Sequence, residues 1–190
     1  MTTLLLIRHG QTDWNLEGRY QGHSDVPLNA TGLQQAHQVA SQLGFTRPDA
    51  IFSSDLTRTH DTAAIIGKAL RLPIHLDSRL REINQGIWEG MLYEDIKREY
   101  SELVERRRND PLSVAAPGGE TVGEVRERML AAVADIAQGY AMGSVVVVSH
   151  GLALALVKAY VASVPIDKVW QLIPRNAIVE TVKIEEKDFE

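Results

Sequence analysis

Two histidine–glycine pairs, far apart in the chain, each follow a short apolar run. His9 and its neighbour Arg8 come directly after the apolar residues 4–7, and His150 comes shortly after the valine run 145–148. Short apolar runs of this length are typical of buried strands. In α/β proteins the functional residues cluster where such strands end, and two strand ends can face one pocket. The spacing therefore predicts that the two histidines share a pocket.

The residue types in this pattern suit phosphoryl transfer, which needs a nucleophile, positive donors around the phosphate oxygens and an acid for the leaving group. A neutral imidazole keeps a lone pair on one nitrogen while a backbone acceptor holds the other, so His9 is the predicted nucleophile. Arg8 and Arg58 offer forked donors that match a phosphate edge and stay charged. His150 and Asn15 are predicted to add two further contacts to the phosphate.

Glu82 is the predicted general acid. A departing alkoxide gains roughly 10² to 10⁴ in rate from a positioned acid. Glu82 must carry a proton in the first step, so we expect burial or a neighbouring carboxylate around it, against the effect of the adjacent arginines. After the leaving group has departed, the same carboxylate can take a proton from the water that attacks the phosphohistidine.

Glycine and glutamine complete the predicted set. Gly151, directly after His150, lets the backbone approach a phosphate closely because it has no Cβ. Gln21 and Gly22, in the loop after the first motif, are predicted as additional substrate contacts. Trp14 and Trp88 either line the opening or pack in the interior, and we favour packing.

Composition narrows the function classes. The 190 residues carry 25 acidic and 20 basic side chains, a formal net charge of −5, which gives no support for nucleic-acid binding. There is no cysteine, which excludes disulfides and thiolate chemistry. The first apolar run is short, has no positive charge before it and ends at Arg8, so we expect neither a signal peptide nor a membrane span. A cytoplasmic protein is the expectation.

A metal site is a weaker alternative for the histidines and acids. Their spacing matches no HExxH or similar ligand pattern, and arginines beside them would repel a cation. We expect no metal and no cofactor, and full activity after chelation.

The elements that must position these residues alternate between apolar runs and helical periods, which is typical of a mostly parallel sheet covered on both faces. We predict crossover helices after Thr31 and after Asp55, with Leu33 and Leu56 beginning their apolar stripes, and a strand towards an edge at 178–184. Further helices are predicted at 120–138 and 152–161. The remaining predicted strands are 3–8, 50–53, 73–77 and 144–149.

Between residues 89 and 120 the apolar density falls and charge rises, and we predict a small helical cap inserted into a single domain spanning 1–190. We interpret Arg106, Arg107 and Arg108 as the solvated face of a cap helix. The alternative is that this run meets an anionic group of the substrate when the cap closes.

Four segments resemble the histidine phosphatase superfamily, which includes the cofactor-dependent phosphoglycerate mutases. Residues 8–15, RHGQTDWN, resemble its signature, and three further segments agree with it in order. They are 54–63, 80–90 and 149–151. The resemblance spans residues 3 to about 180 and implies a three-layer α/β/α sandwich, and it is also what places residues 117–121 near the pocket.

The same resemblance favours phosphatase over mutase chemistry. Residues 82–90 are similar to the broad phosphatase branch, whereas mutases carry a Tyr-Gly pair soon after the acid, where this chain has Asn84 and Gln85. The expected function is a metal-independent phosphatase acting on a small soluble phosphate ester through a phosphohistidine. A phosphoglycerate mutase is the alternative, and an inactive phosphate-binding module is a lesser one. Substrate identity stays open, and an edge strand with apolar cap surfaces would allow a homodimer.

Overall fold

The first apolar run forms an inner strand of a five-stranded sheet. In the computed structural model, β1 (Thr2–Arg8) pairs in parallel with β4 (Ser144–Ser149) and antiparallel with β5 (Val179–Ile184). β2 (Ala50–Ser53) pairs in parallel with β4 and with β3 (Ile74–Leu76), giving the order β3-β2-β4-β1-β5. The mostly parallel sheet is confirmed, and so is the edge position of the last strand.

Seven α-helices connect and cover these strands in the part of the chain that the structure describes, residues 1–185. Helices α2 and α3 pack on one face of the sheet, and α6 and α7 pack on the other. The chain therefore has the three layers predicted from its sequence. The helices are α1 (Asp13–Glu17), α2 (Ala30–Leu43), α3 (Thr57–Leu70), α4 (Tyr93–Glu99), α5 (Ser101–Asn109), α6 (Val122–Gly139) and α7 (Gly151–Val161).

The predicted elements differ from the structure at several of their ends and in the burial of one residue. The third strand is shorter than predicted, because only Ile74–Leu76 pairs with its neighbour. The apolar stripe predicted for α2 includes Leu33. In the structure Leu33 is 43% exposed, since it lies in the first turn of that helix. A periodic stripe predicts the face that a helix buries, and it does not predict how far the neighbouring elements cover that face.

The segment predicted as a cap contains α4 and α5, with a small hydrophobic cluster of its own. Trp88, Ile96 and Ala116 form the buried centre of that cluster, so Trp88 packs in the interior as expected. Within residues 1–185, no helix combines the length and the apolar character that crossing a membrane requires.

The register of the central strands brings the two histidines together. Arg8 of β1 lies opposite Ser149 of β4, so the next residue of each strand, His9 and His150, leaves the sheet at the same level. Their rings lie with centroids 5.2 Å apart. The parallel pairing of two valine- and leucine-rich runs thus sets the distance between the two histidines.

Candidate active site

One cavity of about 340 Å³ lies at the carboxyl ends of the parallel strands, where open α/β sheets bind ligands. Every site residue predicted from the sequence lines it. They are Arg8, His9, Asn15, Gln21, Gly22, Arg58, Glu82, His150 and Gly151.

His9 is held with one ring nitrogen bonded and the other free. Its amide donates to the Ser149 carbonyl at 3.0 Å, and its Nδ1–H donates to the Gly10 carbonyl at 2.7 Å. Among residues 1–185, Nε2 makes no hydrogen bond, so that nitrogen keeps its lone pair. Burial lowers the pKa of His9 well below 6.5, and the charges of Arg58 and Arg8 lower it further. The imidazole is therefore neutral at physiological pH.

His150 directly precedes α7, as its N-cap residue, and is fully buried beside His9. Its Nε2 lies 2.9 Å from the Ser54 hydroxyl, which also accepts from the Leu56 amide at 3.4 Å. When the Ser54 hydroxyl donates to Nε2, the ring proton of His150 lies on Nδ1. Nδ1 has no hydrogen-bond partner within residues 1–185. Burial, followed by the charge of Arg58, lowers the pKa of His150 well below 6.5, so the ring is neutral at physiological pH.

Arg58 is fully buried and anchored by backbone carbonyls. Its Nη1 donates to Ser24 at 2.8 Å and its Nη2 to Gly22 at 2.7 Å, while Nε has no partner within residues 1–185. Burial lowers the pKa of Arg58 to about 10, and the nearby Glu82 opposes this change. The guanidinium stays charged at neutral pH and no carboxylate forms a salt bridge with it in the described chain.

The Gly22 carbonyl accepts a hydrogen bond from Arg58. Gly22 adopts φ +54°, in the left-handed region, and a Cβ there would lie 2.2 Å from Glu89 Oε1 and 2.9 Å from the Gln85 amide. Only glycine fits this position without moving the loop. Gly22 lines the cavity as predicted, but its carbonyl is already occupied by Arg58.

Arg8 approaches the cavity from β1. Its Nη1 donates to the Pro174 carbonyl at 3.0 Å, and its Nε has no partner within the described residues. A Cβ on Gly151 would lie 3.1 Å from Ile173 Cγ2, which is a tight contact, and 3.5 Å from the Arg8 guanidinium carbon, which is an ordinary van der Waals distance. Burial lowers the pKa of Arg8, against the charge of Glu82.

Glu82 lies at the first turn of α7. Its Oε2 accepts from the Leu152 amide at 3.1 Å, and its Oε1 accepts from the amides of Ile83 at 3.0 Å and Ala153 at 3.3 Å. The sequence predicted burial or a neighbouring carboxylate around this side chain, and the structure instead gives it three amide donors. The reason is that α7 starts directly after His150 and points its free N–H groups at the carboxylate.

Asn15 and Gln21 both form hydrogen bonds with Thr12, the N-cap residue that directly precedes α1. Asn15 Oδ1 accepts from the Thr12 amide at 3.1 Å, and Gln21 Oε1 accepts from the Thr12 hydroxyl at 3.0 Å. Both carbonyl oxygens are used, which orients the amide groups while their nitrogens remain available as donors. Trp14, for which packing was favoured, lines this cavity.

Comparison with known proteins agrees with this geometry. A sequence model described as the histidine phosphatase superfamily (branch 1) matches residues 4–190. The chain belongs to the histidine phosphatase superfamily.

Three relatives illustrate the range of this superfamily. Phosphoserine phosphatase 1 of Hydrogenobacter thermophilus is 34% identical over 98% of this chain and 89% of its own length. A probable phosphoglycerate mutase of Escherichia fergusonii is 38% identical over 100% of this chain and 88% of its own. A mycobacterial glucosyl-3-phosphoglycerate phosphatase, solved with VO3, is 31% identical, with a TM-score of 0.89 over 98% of this chain and 93% of that one. The phosphatase-named relatives support a phosphoric monoester hydrolase, and the mutase-named relatives support the alternative weakly.

Several positions that hold this histidine phosphatase site together were missed from the sequence. Asn176 donates to the His9 carbonyl at 2.9 Å and to Asn15 Oδ1 at 3.2 Å, and nothing in its own segment indicates this. Thr62 Oγ1 accepts from the Gly10 amide at 3.1 Å. Thr62 lies in one of the segments that resemble the family, so its inclusion there was the one signal available.

The arginine run of this histidine phosphatase divides into two kinds of residue. Arg106 and Arg108 are exposed, as a solvated helix face requires, but Arg107 is only 6% exposed. Its Nη1 donates to Gln85 Oε1 at 2.9 Å, and its guanidinium lies over the Trp88 ring at 5.3 Å. For Arg107 the solvated-face interpretation was therefore wrong, because Trp88 and Gln85 draw the side chain inward.

No three His, Asp or Glu side chains within residues 1–185 form a group that could hold a metal ion. The groups nearest to His9 are guanidiniums and another imidazole, and the guanidiniums repel cations.

Proposed function

We propose that this chain hydrolyses phosphomonoesters through a covalent phosphohistidine on His9. One observation carries the proposal: the Nδ1–H of His9 is bonded to Gly10, so the lone pair of Nε2 is held in a cavity that Arg8 and Arg58 also line. A neutral buried imidazole between two guanidiniums is a nucleophile placed where an anionic phosphate binds.

In the first step, the Nε2 lone pair of His9 attacks phosphorus while the ester P–O bond breaks. The leaving alkoxide takes a proton from the Glu82 carboxyl group, and the phosphoryl group becomes bonded to His9. In the second step, water attacks phosphorus, Glu82 takes a proton from that water, and the P–N bond breaks. Inorganic phosphate and free His9 result, so Glu82 returns to its starting state.

The charges of the site support these two reaction steps. Arg8 and Arg58 offset the charge of the phosphate dianion, and the Nε of each has no hydrogen-bond partner within residues 1–185. Each guanidinium lies near enough to Glu82 for the charges to interact.

Trapping the intermediate tests the proposal. A radiolabelled phosphomonoester, mixed with the protein and quenched rapidly, should leave acid-labile, base-stable phosphate on His9. The His9→Ala variant should retain no label, whereas His60→Ala, on an exposed residue outside the cavity, should label as the parent does. Turnover by His9→Ala at the parent rate would overturn the proposal, and tight ester binding with no turnover by the parent would favour an inactive module.

The mutase alternative rests on the probable phosphoglycerate mutase that is 38% identical to this chain. Release of inorganic phosphate from several monoesters should exceed the interconversion of phosphoglycerates primed with a bisphosphate. Interconversion of phosphoglycerates faster than phosphate release would show that the chain is a mutase.

The proposed substrate is a small phosphate ester, by analogy with the phosphoserine and glucosyl-3-phosphoglycerate that relatives' names specify. Values of kcat/KM measured on a panel of such esters would rank them as substrates. The cytoplasmic location and the homodimer stay predictions.

A further inference from the structure

The segment that carries Glu82 also carries a second carboxylate, Glu89, which the proposed reaction does not use. Glu89 does not line the cavity around His9. It is half-buried, and within residues 1–185 no basic side chain forms a salt bridge with it. A half-buried carboxylate needs hydrogen-bond donors to replace the water that it has lost, so its partners indicate its role.

The donors to Glu89 come from two backbone segments at the edge of the catalytic cavity. Oε1 accepts from the His23 amide at 2.7 Å and from the Gln85 amide at 3.2 Å. Oε2 accepts from the Ser24 hydroxyl at 2.6 Å. Both oxygens are used, so this carboxylate joins the loop 22–25 to the segment that follows Glu82.

The loop 22–25 is also the part of the chain that holds Arg58. The carbonyls of Gly22 and Ser24 accept from its two terminal nitrogens, at 2.7 and 2.8 Å. Asp25, at the end of the loop, accepts from the amide of Thr57 at 2.8 Å, at the start of the helix that carries Arg58. The position of the guanidinium therefore depends on the conformation of this loop.

One peptide group connects Glu89 directly with Arg58. The carbonyl of Gly22 and the N–H of His23 belong to the same planar unit, in which the two groups point in opposite directions. Its oxygen accepts from Arg58 and its N–H donates to Glu89. Hydrogen bonds in such a series polarise one another, and a rotation of the peptide group would break both. The carboxylate thus fixes the direction of a carbonyl that the guanidinium uses.

The position of Glu89 on the far side of this peptide group suits an anion-binding arginine. A carboxylate in direct contact with Arg58 would compete with a phosphate for the same N–H groups. Glu89 makes no such contact, and the Nε of Arg58 has no partner within the described residues. Burial lowers the pKa of this guanidinium to about 10, and the charges of Glu82, Asp25 and Glu89 oppose that change.

We propose that Glu89 is a positioning residue for Arg58, which it holds in place through the Gly22–His23 peptide group and the Ser24 hydroxyl. The proposal rests on the proposed phosphatase function, in which Arg58 binds the phosphate. It gives Glu89 a role in phosphate binding without contact between its carboxylate and the substrate.

Binding of inorganic phosphate to the full chain, measured by titration calorimetry, tests the proposal without requiring turnover. Glu89→Ala should raise the Kd for phosphate by about tenfold, the loss expected when a charge-assisted hydrogen bond from Arg58 is misplaced. Glu89→Gln should stay within about threefold of the parent, because its amide can still accept from the His23 N–H and donate to the Ser24 hydroxyl. Glu94→Ala, on an exposed glutamate of α4, is the matched control and should bind phosphate as the parent does.

The Arg58→Met variant distinguishes positioning from a general effect on the fold. If Glu89 acts through Arg58, adding Glu89→Ala to Arg58→Met should change the phosphate Kd by less than about twofold. A loss of about tenfold in Arg58→Met as well would show that Glu89 acts elsewhere, which overturns the proposal. If Arg58→Met does not fold, the first comparison decides, since equal losses in Glu89→Ala and Glu89→Gln overturn the proposal. If Glu89→Ala does not fold, Glu89→Asp, which is one methylene shorter, replaces it in both comparisons.

The outcomes separate this proposal from the function on which it rests. Equal phosphate binding by the parent and Glu89→Ala overturns the positioning role and leaves the phosphatase function intact. If the parent binds phosphate but neither hydrolyses esters nor labels His9, the hydrolytic function is overturned, and the predicted losses in Glu89→Ala would still support the positioning role. A parent protein that binds no phosphate overturns both.

Discussion

Arg128 Nη2 donates a hydrogen bond of 2.8 Å to the backbone carbonyl of Glu82. Its Nη1 donates to the carbonyls of Arg79 and Arg81, at 2.8 and 2.6 Å, and its guanidinium also pairs with the Glu120 carboxylate at 2.8 Å. One side chain of α6 therefore fixes the backbone that carries the proposed acid. It acts through Glu82, since Arg128 does not line the cavity.

Arg128→Lys should lower kcat for an alkyl phosphate by roughly 10², because the three N–H donors of an ammonium cannot serve the three carbonyls and the Glu120 carboxylate together. A small displacement of Glu82 then weakens proton transfer. The loss on para-nitrophenyl phosphate should be much smaller, since that leaving group needs little protonation. Steady-state kinetics on both esters measures the difference. Arg126→Lys, on the same helix beside the Tyr160 ring, is the control. Equal losses on the two esters would mean that Arg128 is only structural.

Glu82→Gln should lower turnover of alkyl phosphates by roughly 10² to 10⁴ and affect an aryl phosphate far less. The amide cannot donate the proton that an alkoxide needs, while a nitrophenolate leaves without it. The ratio of kcat/KM for the two esters is the measurement. Losses of the same size on both would count against the acid role.

Gly22→Ala should reduce both stability and activity. The added Cβ must move the Glu89 carboxylate and the Gln85 amide, which disturbs the loop whose carbonyl holds Arg58. Gly118→Ala is the matched control, because Gly118 has φ +73° with nothing within 4 Å of the added atom. The control should lose only the backbone strain of about 1 kcal/mol, and urea unfolding should show a larger loss for Gly22→Ala. Similar losses in the two variants would contradict the proposed clash.

The free energy of unfolding should fall as pH drops below 6.5. Burial, with the nearby arginine charges, lowers the pKa of His9 and His150 in the folded chain, so only the unfolded chain takes up their protons just below 6.5. Because the unfolded state then binds more protons, stability is full above that pH and decreases below it, by up to about 1.4 kcal/mol per pH unit for each histidine. Urea unfolding on either side of pH 6.5 measures the slope. His150→Asn should roughly halve it, and an unchanged slope would sink this account.

Exhaustive chelation should leave activity unchanged. The guanidiniums of Arg8 and Arg58 flank His9 and repel a divalent cation from the nucleophile. Assays before and after treatment with a chelator, with divalent ions added back, make the comparison. Activity lost to the chelator and restored only by a divalent ion would reopen the metallohydrolase alternative.

The parts of the site that were predictable from sequence are those fixed by strand ends. His9 and His150 each follow a run of aliphatic residues. Because these two runs pair in parallel, the two histidines leave the sheet side by side. Arg58 and Glu82 were predicted from their residue types and family resemblance, and they line the same cavity.

The parts that were not predictable are contacts between distant elements. Arg128 and Asn176 look like ordinary polar residues in their own segments, and only the packed fold brings them to the Glu82 and His9 backbones. Arg107 sits in a charged run with nothing local to distinguish it from its neighbours. Its burial depends on where Trp88 lies, which helical periodicity cannot give.

The pairing of β1 with β4 and β5 has a consequence for synthesis on the ribosome. The strand that carries His9 emerges before both of its hydrogen-bonding neighbours, which lie beyond residue 143. During most of translation its edges have no native partner, and the nascent chain must avoid pairing them wrongly. The pocket that contains both histidines can therefore form only after β4 and His150 have left the exit tunnel.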